Sequence, residues 1–339
     1  MAIRIAVAGL GPRGQDWLRE VRKAPAFELV ACVDIDPPTL KQAAARLSIP
    51  PERCFTDVAE ALDRESCDAV IVATSVPNHV KPCELALERG IAVMVEKPFT
   101  MCLRDSVKLV ALAEQKGVPL IVAQNYRYMR SFRTARRLID EGKLGPVGIV
   151  VCQYYRVPHA MADSLQGLTN SALWGASIHH LDALRYILRK RVTGVMAEAF
   201  TLPWGRLPRG ASLQLMLSFE DEARLLYSAT YESSGHEFFE GGQEFYVRFI
   251  GEHATLHVFQ RWLMLCETGK LPRPVRRGPR RTTEESTLLN QLKGALLNHE
   301  EPDSSGRDNL HTMAVVEASL RSAAERNWIN PQELLDEYE

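Results

Sequence analysis

A glycine-rich segment near the N-terminus has the residue types and spacing of a phosphate-binding loop. Gly9, Gly11 and Gly14 fit the pattern G-x-G-x-x-G, directly after an apolar run and before a helical pattern. The first glycine permits a tight turn, the second leaves room for a pyrophosphate, and the third lets the helix pack closely on the strand. Phosphate would then bind the free N–H groups at the helix N-terminus. The segment therefore predicts a dinucleotide cofactor.

An acidic residue at the end of the second predicted strand indicates which dinucleotide is bound. Asp34 lies about twenty residues after Gly14, where a carboxylate accepts hydrogen bonds from the adenosine ribose and repels a 2′-phosphate. We therefore predict NAD. Arg13, beside the loop, favours the alternative NADP, because its cation could pair with a 2′-phosphate. A solvated turn is the alternative interpretation of the segment Asp34-Ile35-Asp36.

A lysine at another strand end is a candidate catalytic residue. Lys97 follows a strand predicted over Ile91–Val95 and precedes Pro98, which restricts the lysine to an extended backbone. Sheets of alternating strands and helices bind ligands at the carboxyl ends of their strands. Lys97 is thus expected where cofactor and substrate meet. An ordinary surface lysine is the alternative.

The order of apolar patterns predicts two domains of different architecture. In the first 124 residues strand patterns alternate with helical ones, which indicates a doubly wound parallel sheet of the Rossmann type. The predicted strands there are Ile5–Ala8, Phe27–Val33, Ala69–Thr74, Ile91–Val95 and Leu120–Ala123. From residue 125 to residue 339 strand-like runs follow one another with few helices between them, which favours a mostly antiparallel sheet. These runs are Val147–Tyr155, Val192–Phe200, Ser212–Phe219, Arg224–Tyr231, Glu244–Ile250 and Thr255–Phe259.

Helical patterns in the second half surround that sheet. One helix is predicted over Ile178–Leu188, and two more close the chain over Glu284–Leu297 and Asp308–Arg326. The basic stretch Leu271–Arg281 is predicted to be an exposed loop. The fold class is therefore α/β, with a cofactor domain over 1–124 and a substrate and oligomerisation domain over 125–339.

Composition excludes several classes of function. The 339 residues carry 41 Lys and Arg against 42 Asp and Glu, so the basic excess of a nucleic-acid binder is missing. No apolar run is long enough to span a membrane, and the N-terminus lacks the pattern of a signal peptide. Seven scattered cysteines form no Cys-x-x-Cys pair, so we expect no metal site, no disulfide framework and a cytoplasmic protein.

Four segments together resemble the glucose–fructose oxidoreductase / inositol dehydrogenase (Gfo/Idh/MocA) family. They are the glycine loop, Glu96-Lys97-Pro98, Asn125-Tyr126-Arg127-Tyr128 and Ser177-Ile-His-His-Leu-Asp182, in the family's order along nearly the whole chain. The resemblance implies a Rossmann domain, a second α/β domain with an open sheet, NAD(P), and redox chemistry on a sugar or cyclitol. It also implies a homodimer or homotetramer joined through the open sheet.

Residue by residue, the resemblance assigns two catalytic groups. Lys97 positions the reacting oxygen, and His179 matches the histidine of the family's Asp-x-x-x-His pair, with Asp182 completing His-x-x-Asp. The expected aspartate is replaced by Gly175, for which Asp163 and Asp182 are candidate substitutes. A second departure is Lys81, where the family often has histidine. A histidine that only packs in the core is the alternative interpretation of His179.

The sequence therefore predicts an NAD(P)-dependent oxidoreductase that interconverts a secondary alcohol and a ketone on a sugar, cyclitol or related polyol. A non-catalytic nucleotide-binding sensor, favoured by Gly175, and an NAD-dependent lyase or glycosidase that uses transient oxidation remain open alternatives. Residues assigned to the cofactor are Gly9, Gly11, Pro12, Arg13, Gly14, Asp34, Ile35, Thr74, Asn78, Glu96, Lys97, Asn125 and Arg127. Residues assigned to the substrate are Lys97, Arg127, Tyr155, Trp174, His179, His180 and His236.

Overall fold

Buried apolar strands in the first part of the chain form a six-stranded parallel sheet with the order β3-β2-β1-β4-β5-β6. The computed structural model describes residues 2–158, 167–234, 243–259, 262–279 and 282–338. The strands are β1 (Ile3–Ala8), β2 (Phe27–Val33), β3 (Cys54–Phe55), β4 (Ala69–Val72), β5 (Ala92–Val95) and β6 (Leu120–Val122). This strand order confirms the predicted doubly wound sheet, whose ligand-binding edge lies at the carboxyl ends of β1, β2, β4 and β5.

Helices connect these strands, and local residue types explain where they begin and end. They are α1 (Pro12–Lys23), α2 (Pro37–Leu47), α3 (Val58–Arg64), α4 (Val80–Glu88) and α5 (Leu103–Lys116). Helix α1 starts with proline at its first position, and α2 is capped by Asp36, whose carboxylate accepts a hydrogen bond from the backbone N–H of Thr39. Helix α5 ends at Gly117 in the left-handed conformation.

The second sheet has eight strands in the order β14-β13-β12-β11-β7-β10-β9-β8. They are β7 (Val147–Arg156), β8 (Val192–Phe200), β9 (Ser212–Phe219), β10 (Arg224–Thr230), β11 (Gln243–Gly251), β12 (Ala254–Phe259), β13 (Leu263–Glu267) and β14 (Arg273–Val275). Every neighbouring pair is antiparallel except β10 with β7. The predicted mostly antiparallel sheet is thus confirmed.

The sheet contains two strands that the sequence patterns did not predict, β13 and β14. Strand β14 lies inside the predicted loop over Leu271–Arg281, because Leu263, Met264 and Leu265 of β13 pair with its backbone at the edge of the sheet. Its proline, Pro274, is tolerated there because an edge strand does not need every N–H group for pairing. The pairing is decided by a neighbouring strand and not by local residue types.

The two faces of this sheet differ in exposure. On one face Val150, Cys152 and Tyr154 of β7 are buried. On the other face Ile149 of β7, Met216 of β9 and Leu226 of β10 are 44%, 41% and 44% exposed. Because side chains alternate along a strand, this exposed stripe belongs to the sheet face opposite Tyr154.

The remaining helices are α6 (Arg130–Asp140), α7 (Ile178–Leu188), α8 (Glu284–Asn298), α9 (Gly306–Glu325) and α10 (Pro331–Asp336). By contacts the chain divides into two compact units. The first unit comprises residues up to Asn125 with Thr282–Met313 and Tyr338, and the second comprises Tyr126–Arg281 with Ala314–Glu337. The predicted boundary after residue 124 placed α8 in the second domain, whereas α8 packs against α1 of the first unit.

No helix within the described ranges is long and apolar enough to cross a membrane.

Candidate functional site

The glycine loop of the first unit has a backbone that only glycine permits at two positions. Gly9 has a φ of +89°, and a Cβ there would lie 2.5 Å from the carbonyl carbon of Ala73. A Cβ on Gly14 would collide with the carbonyl oxygen of Gly9, whereas Gly11 has no atom within 4 Å of that position. The loop is therefore closely packed where β1 meets α1 and open beside the first turn of α1. The N-cap residue Gly11 has no side chain to accept a hydrogen bond from the first N–H groups of the helix.

Asp34 is tied to the glycine loop. One carboxylate oxygen accepts a hydrogen bond of 2.7 Å from the backbone N–H of Leu10, and the other accepts one of 2.9 Å from the N–H of Asp36. These bonds fix the carboxylate at the carboxyl end of β2, with lone pairs left for further donors. The neighbouring Ile35 is 89% exposed, so an apolar side chain lies next to Asp34 in the sequence and is open to solvent.

Arg13 is held by three carboxylates of the first unit. Its Nε and Nη2 atoms donate to Glu96 at 2.9 and 2.7 Å, and its Nη1 atom donates to Glu285 at 3.2 Å and to Asp16 at 3.3 Å. The guanidinium also lies over the ring of Trp17. A cation with these partners has little unpaired charge for a 2′-phosphate, which weakens the argument for NADP.

Lys97 has an unusual electrostatic environment next to that network. The buried Glu96 accepts hydrogen bonds from Arg13 and, at 2.8 Å, from the indole N–H of Trp17, so its charge is largely compensated. Burial lowers the pKa of Lys97 to about 8; the Glu96 charge opposes the shift and the Arg13 charge adds to it. The peptide bond between Lys97 and Pro98 is cis. An amine with this pKa can both donate and accept a proton near neutral pH.

His79 holds the segment after Lys97 against the end of β4 and was not assigned a role from the sequence. Its Nδ1 atom lies 2.9 Å from the carbonyl oxygen of Pro98, and its Nε2 atom lies 3.1 Å from that of Thr74. The hydroxyl of Thr74 donates to the carbonyl oxygen of Asn78 at 3.0 Å. The signal for this role in the sequence was only a histidine adjacent to a predicted site residue.

Asn125 ends the first unit with a buried acceptor. Its Oδ1 atom is buried and has no hydrogen-bond partner among the described residues. An unsatisfied buried carbonyl oxygen is uncommon, and a bound ligand would supply the donor. Asn125 follows β6, the neighbour of β5, which carries Lys97 at its end.

In the second unit His179 lies at the start of α7. A short π-helix over Leu173–Ser177 precedes α7 and includes Gly175 and the buried Trp174. The ring of Tyr126 stacks on the imidazole of His179, with centroids 4.1 Å apart and an angle of 13° between the planes. Tyr126 was not assigned a role from the sequence, and this stack fixes the plane of the His179 ring.

His180 begins a chain of buried hydrogen bonds. Its Nδ1 atom lies 2.9 Å from the hydroxyl of Tyr227, which donates to Ser177 at 2.9 Å, and Ser177 donates to the carbonyl oxygen of Ala172 at 2.8 Å. A carbonyl only accepts, so the chain has one direction and Nδ1 of His180 must carry the proton. His180 also stacks on Phe245. These contacts hold the first turn of α7 on the sheet.

Arg127 and Asp182 form a buried ion pair in the second unit. Nε and Nη2 of Arg127 donate to the two carboxylate oxygens of Asp182 at 2.6 and 2.5 Å, and both side chains are 1% exposed. This bidentate pair joins the turn after Asn125 to α7. Both carboxylate oxygens of Asp182, one of the two candidate substitutes for the missing aspartate, thus accept hydrogen bonds from Arg127. The cofactor and substrate roles predicted for Arg127 stay predictions.

Three other sequence-predicted residues lie away from these contacts or outside the described ranges. Alternation along β7 places Tyr155 on the sheet face opposite Tyr154, whose ring packs against His180. His236 and Asp163 lie outside the described residues. Among the residues that the structure describes, no group of three His, Cys, Asp or Glu could hold a metal ion.

Comparisons with known proteins show the family of the chain. Residues 3–124 match a model of an oxidoreductase family with an NAD-binding Rossmann fold, and residues 132–257 match a model of a GFO/IDH/MocA C-terminal domain. A D-apiose dehydrogenase of Paraburkholderia graminis is 27% identical over 94% of this chain and 87% of its own.

Two solved structures have the same fold over nearly the whole chain. An oxidoreductase from Agrobacterium radiobacter, in complex with NAD+, L-tartaric acid and magnesium, has a TM-score of 0.87 at 22% identity and covers 98% of this chain and 100% of its own. An inositol dehydrogenase homolog from Azotobacter vinelandii, complexed with NADH and myo-inositol, has a TM-score of 0.84 at 21% identity, with coverages of 97% and 98%.

Proposed function

The chain belongs to the Gfo/Idh/MocA family of NAD-binding oxidoreductases, and on this premise we propose that it interconverts a secondary alcohol and a ketone on a sugar, cyclitol or related polyol. The relative named D-apiose dehydrogenase and the structural neighbour complexed with myo-inositol support the class of substrate. The observation that carries the proposal is the position of Lys97, with a lowered pKa, at the carboxyl end of β5 and joined through Glu96 to the helix that follows the glycine loop.

The residues of the first unit fit NAD. A side chain at Gly11 would fill the open space beside the first turn of α1, where phosphate oxygens would meet backbone N–H groups. Asp34 has lone pairs for the ribose hydroxyls, Ile35 offers an apolar surface to the adenine, and Asn125 has an orphaned oxygen for an amide donor. When bound, NAD supplies the acceptor for the hydride that leaves the carbinol carbon.

His179 is the proposed general base. Its imidazole takes the proton of the reacting hydroxyl in the oxidative direction and returns it in the reductive direction. With Gly175 in place of an aspartate, the carboxylate that orients the histidine in the family is replaced by glycine, and the Tyr126 ring performs the orientation instead. Stacking fixes the ring plane without adding negative charge beside the imidazole.

Lys97 is the proposed partner of the reacting oxygen. As the ammonium it donates a hydrogen bond to that oxygen and stabilises the negative charge that develops in the transition state. Burial of Lys97 strengthens this interaction, because fewer water molecules compete for the charge. The negative charge of Glu96 favours the protonated lysine. Because Glu96 already accepts hydrogen bonds from Arg13 and Trp17, the Lys97 ammonium stays available for the substrate oxygen.

The exposed stripe of the second sheet supports a proposed homodimer or homotetramer. Ile149, Met216 and Leu226 lie on neighbouring strands of one face, and large apolar side chains grouped on a surface are typical of contacts between protein chains.

The test is a panel of sugars, cyclitols and polyols with NAD, followed by absorbance of NADH and by analysis of products. Steady accumulation of NADH with one compound supports the dehydrogenase. Product without accumulation of NADH would favour a lyase or glycosidase. Binding of NADH with no turnover across the panel would favour a sensor, the class that Gly175 favours.

A further inference from the structure

Three tyrosines and one arginine of the second unit interact electrostatically at the buried face of the second sheet. Tyr154 and Arg156 are two residues apart in β7 and so share a face. Tyr231 follows β10, whose last residues pair in parallel with the end of β7, and its ring meets the ring of Tyr154 edge-on at 6.0 Å. Arg156, Tyr126 and Tyr154 are close enough to Tyr231 for their charges to influence its pKa. We call these four residues the tyrosine–arginine cluster.

The three phenols of the cluster are hydrogen-bond donors at every physiological pH. Burial raises the pKa of Tyr126 to about 12, and it also raises the pKa of Tyr154 and Tyr231, with the positive charge of Arg156 opposing each shift. The phenols therefore keep their protons. Tyr154 and Tyr231 are almost fully buried, so water reaches their hydroxyls poorly.

Arg156 adds further donors. Its side chain hydrogen-bonds Tyr154, whereas its Nε atom is buried and has no hydrogen-bond partner among the described residues. A guanidinium only donates, and leaving a buried donor unpaired costs free energy. The cluster thus has more donors than acceptors and a net positive charge.

The cluster adjoins the proposed base. The ring of Tyr126 stacks on His179, while its hydroxyl lies within electrostatic reach of Arg156 and Tyr154. One tyrosine side chain thus links the imidazole to the guanidinium. A ligand that reaches both would place its anionic group at one end of Tyr126 and its reacting hydroxyl at the other.

Resting on the dehydrogenase function proposed above, we propose that Arg156 binds a carboxylate of the substrate, so that the preferred substrates are sugar acids. A guanidinium matches the two oxygens of a carboxylate, and the tyrosine hydroxyls can donate to the remaining lone pairs. A single guanidinium balances the single charge of a carboxylate, whereas a phosphate monoester carries about −1.5 to −2 near pH 7. Arg156 is then a specificity-determining residue that hydrogen-bonds Tyr154 and keeps its Nε donor for the ligand.

The experiment compares matched acids and neutral sugars. Initial rates of NADH formation are measured with D-glucuronate, D-galacturonate and D-gluconate, and with D-glucose, D-galactose and D-glucitol as their neutral counterparts. Binding of the same six compounds to the NADH-bound protein is measured by isothermal titration calorimetry. D-glucose 6-phosphate is included as the phosphate counterpart.

The variants are Arg156→Gln, Arg156→Lys and the control Arg248→Gln. Arg248 lies on β11 opposite Val151 and therefore on the other sheet face from Tyr154, and its Nε atom is also buried without a hydrogen-bond partner among the described residues. We expect Arg156→Gln to weaken the binding of the preferred acid roughly tenfold to a hundredfold and to leave neutral compounds unchanged. Arg156→Lys should retain part of the preference, and Arg248→Gln should retain all of it. Circular dichroism and size-exclusion chromatography verify the fold and the assembly of each variant.

Several outcomes would overturn the assignment. Equal loss of acid and neutral binding in Arg156→Gln would show a structural role, and unchanged acid binding would remove Arg156 from the site. Preference for D-glucose 6-phosphate would contradict the carboxylate, as would the absence of acid binding to the wild-type protein. Turnover of neutral polyols with no effect of Arg156→Gln leaves the dehydrogenase intact and defeats only this inference. If acids bind in a way that depends on Arg156 but none is oxidised, the proposed dehydrogenase function is wrong and the proposed carboxylate site at Arg156 is supported.

Discussion

The ring of Tyr126 lies flat on the imidazole of His179, with centroids 4.1 Å apart. If this stack orients the base, Tyr126→Leu should lower kcat for alcohol oxidation by about tenfold, because a misplaced proton acceptor reduces catalysis steeply. Tyr126→Phe keeps the ring and should retain most of kcat. Stopped-flow measurement of NADH formation at saturating substrate compares the two variants, and equal rates in both would rule out an orienting role for the ring.

Lys97→Ala should lower kcat by roughly a hundredfold or more while NADH affinity changes little, because the ammonium acts on charge that develops in the transition state. In the wild type, kcat/KM should fall as pH rises through about 8, where the amine loses its proton. Titration of NADH fluorescence provides the binding control. Unchanged kcat in the variant would show that Lys97 has no catalytic role.

The lowered pKa of Lys97 also affects stability. The unfolded lysine has a pKa near 10.5 and binds more protons than the folded one between about pH 8 and 10.5, so this group makes the free energy of unfolding rise with pH in that window. Urea denaturation of the wild type and of Lys97→Met across this range measures the contribution. Identical pH slopes in the two proteins would contradict the shift.

The pair of Arg127 and Asp182 should matter for stability. Asp182→Asn leaves a buried guanidinium without its counter-charge and should lower the free energy of unfolding by about 3–5 kcal/mol. The double variant Arg127→Met, Asp182→Leu removes both charges and should recover part of that loss. Urea denaturation of Arg127→Met, of Asp182→Leu and of the double variant gives the coupling energy, which would be near zero if the pair did not interact.

Cofactor choice should depend on Asp34 and on the carboxylates that hold Arg13. We expect the wild type to bind NADH at least about tenfold more tightly than NADPH, because the carboxylate repels a 2′-phosphate. Asp34→Asn should narrow this ratio, and adding Glu285→Gln should narrow it further by freeing one donor of Arg13. Isothermal titration with both cofactors measures the ratio. Tighter NADPH binding by the wild type would show that Arg13 outweighs Asp34.

The exposed stripe of the second sheet gives a prediction about assembly. Leu226→Asp places a charge among Met216 and Ile149 and should shift the protein toward monomers, because a charge is costly to bury at an apolar contact. Analytical ultracentrifugation compares the variant with Glu222→Gln, a change at an exposed turn. A wild type that is already monomeric would refute the proposed oligomer.

Local residue patterns were sufficient to predict the fold class and the type of cofactor. The glycine spacing predicts a cofactor loop because the backbone conformation of a tight turn and the start of a helix depend on neighbouring residues. In the structure Gly9 has a left-handed conformation that other residues adopt rarely. The alternation of strands and helices likewise followed from side-chain periodicity, and the helix over Ile178–Leu188 has the predicted bounds.

Relationships between distant residues were decided only by the tertiary structure. The partners of Arg13 include Glu96 and Glu285, which are separated from it by 83 and 272 residues, and a periodic pattern carries no information about such pairs. The same holds for Tyr126 on His179 and for Arg156 beside Tyr231. Strand register brought Arg156 next to Tyr231, because a shift of one residue in β7 would turn Tyr154 and Arg156 to the opposite face. The sequence by itself thus determined the type of cofactor site and the fold class, while packing and register decided which side chains surround the proposed base.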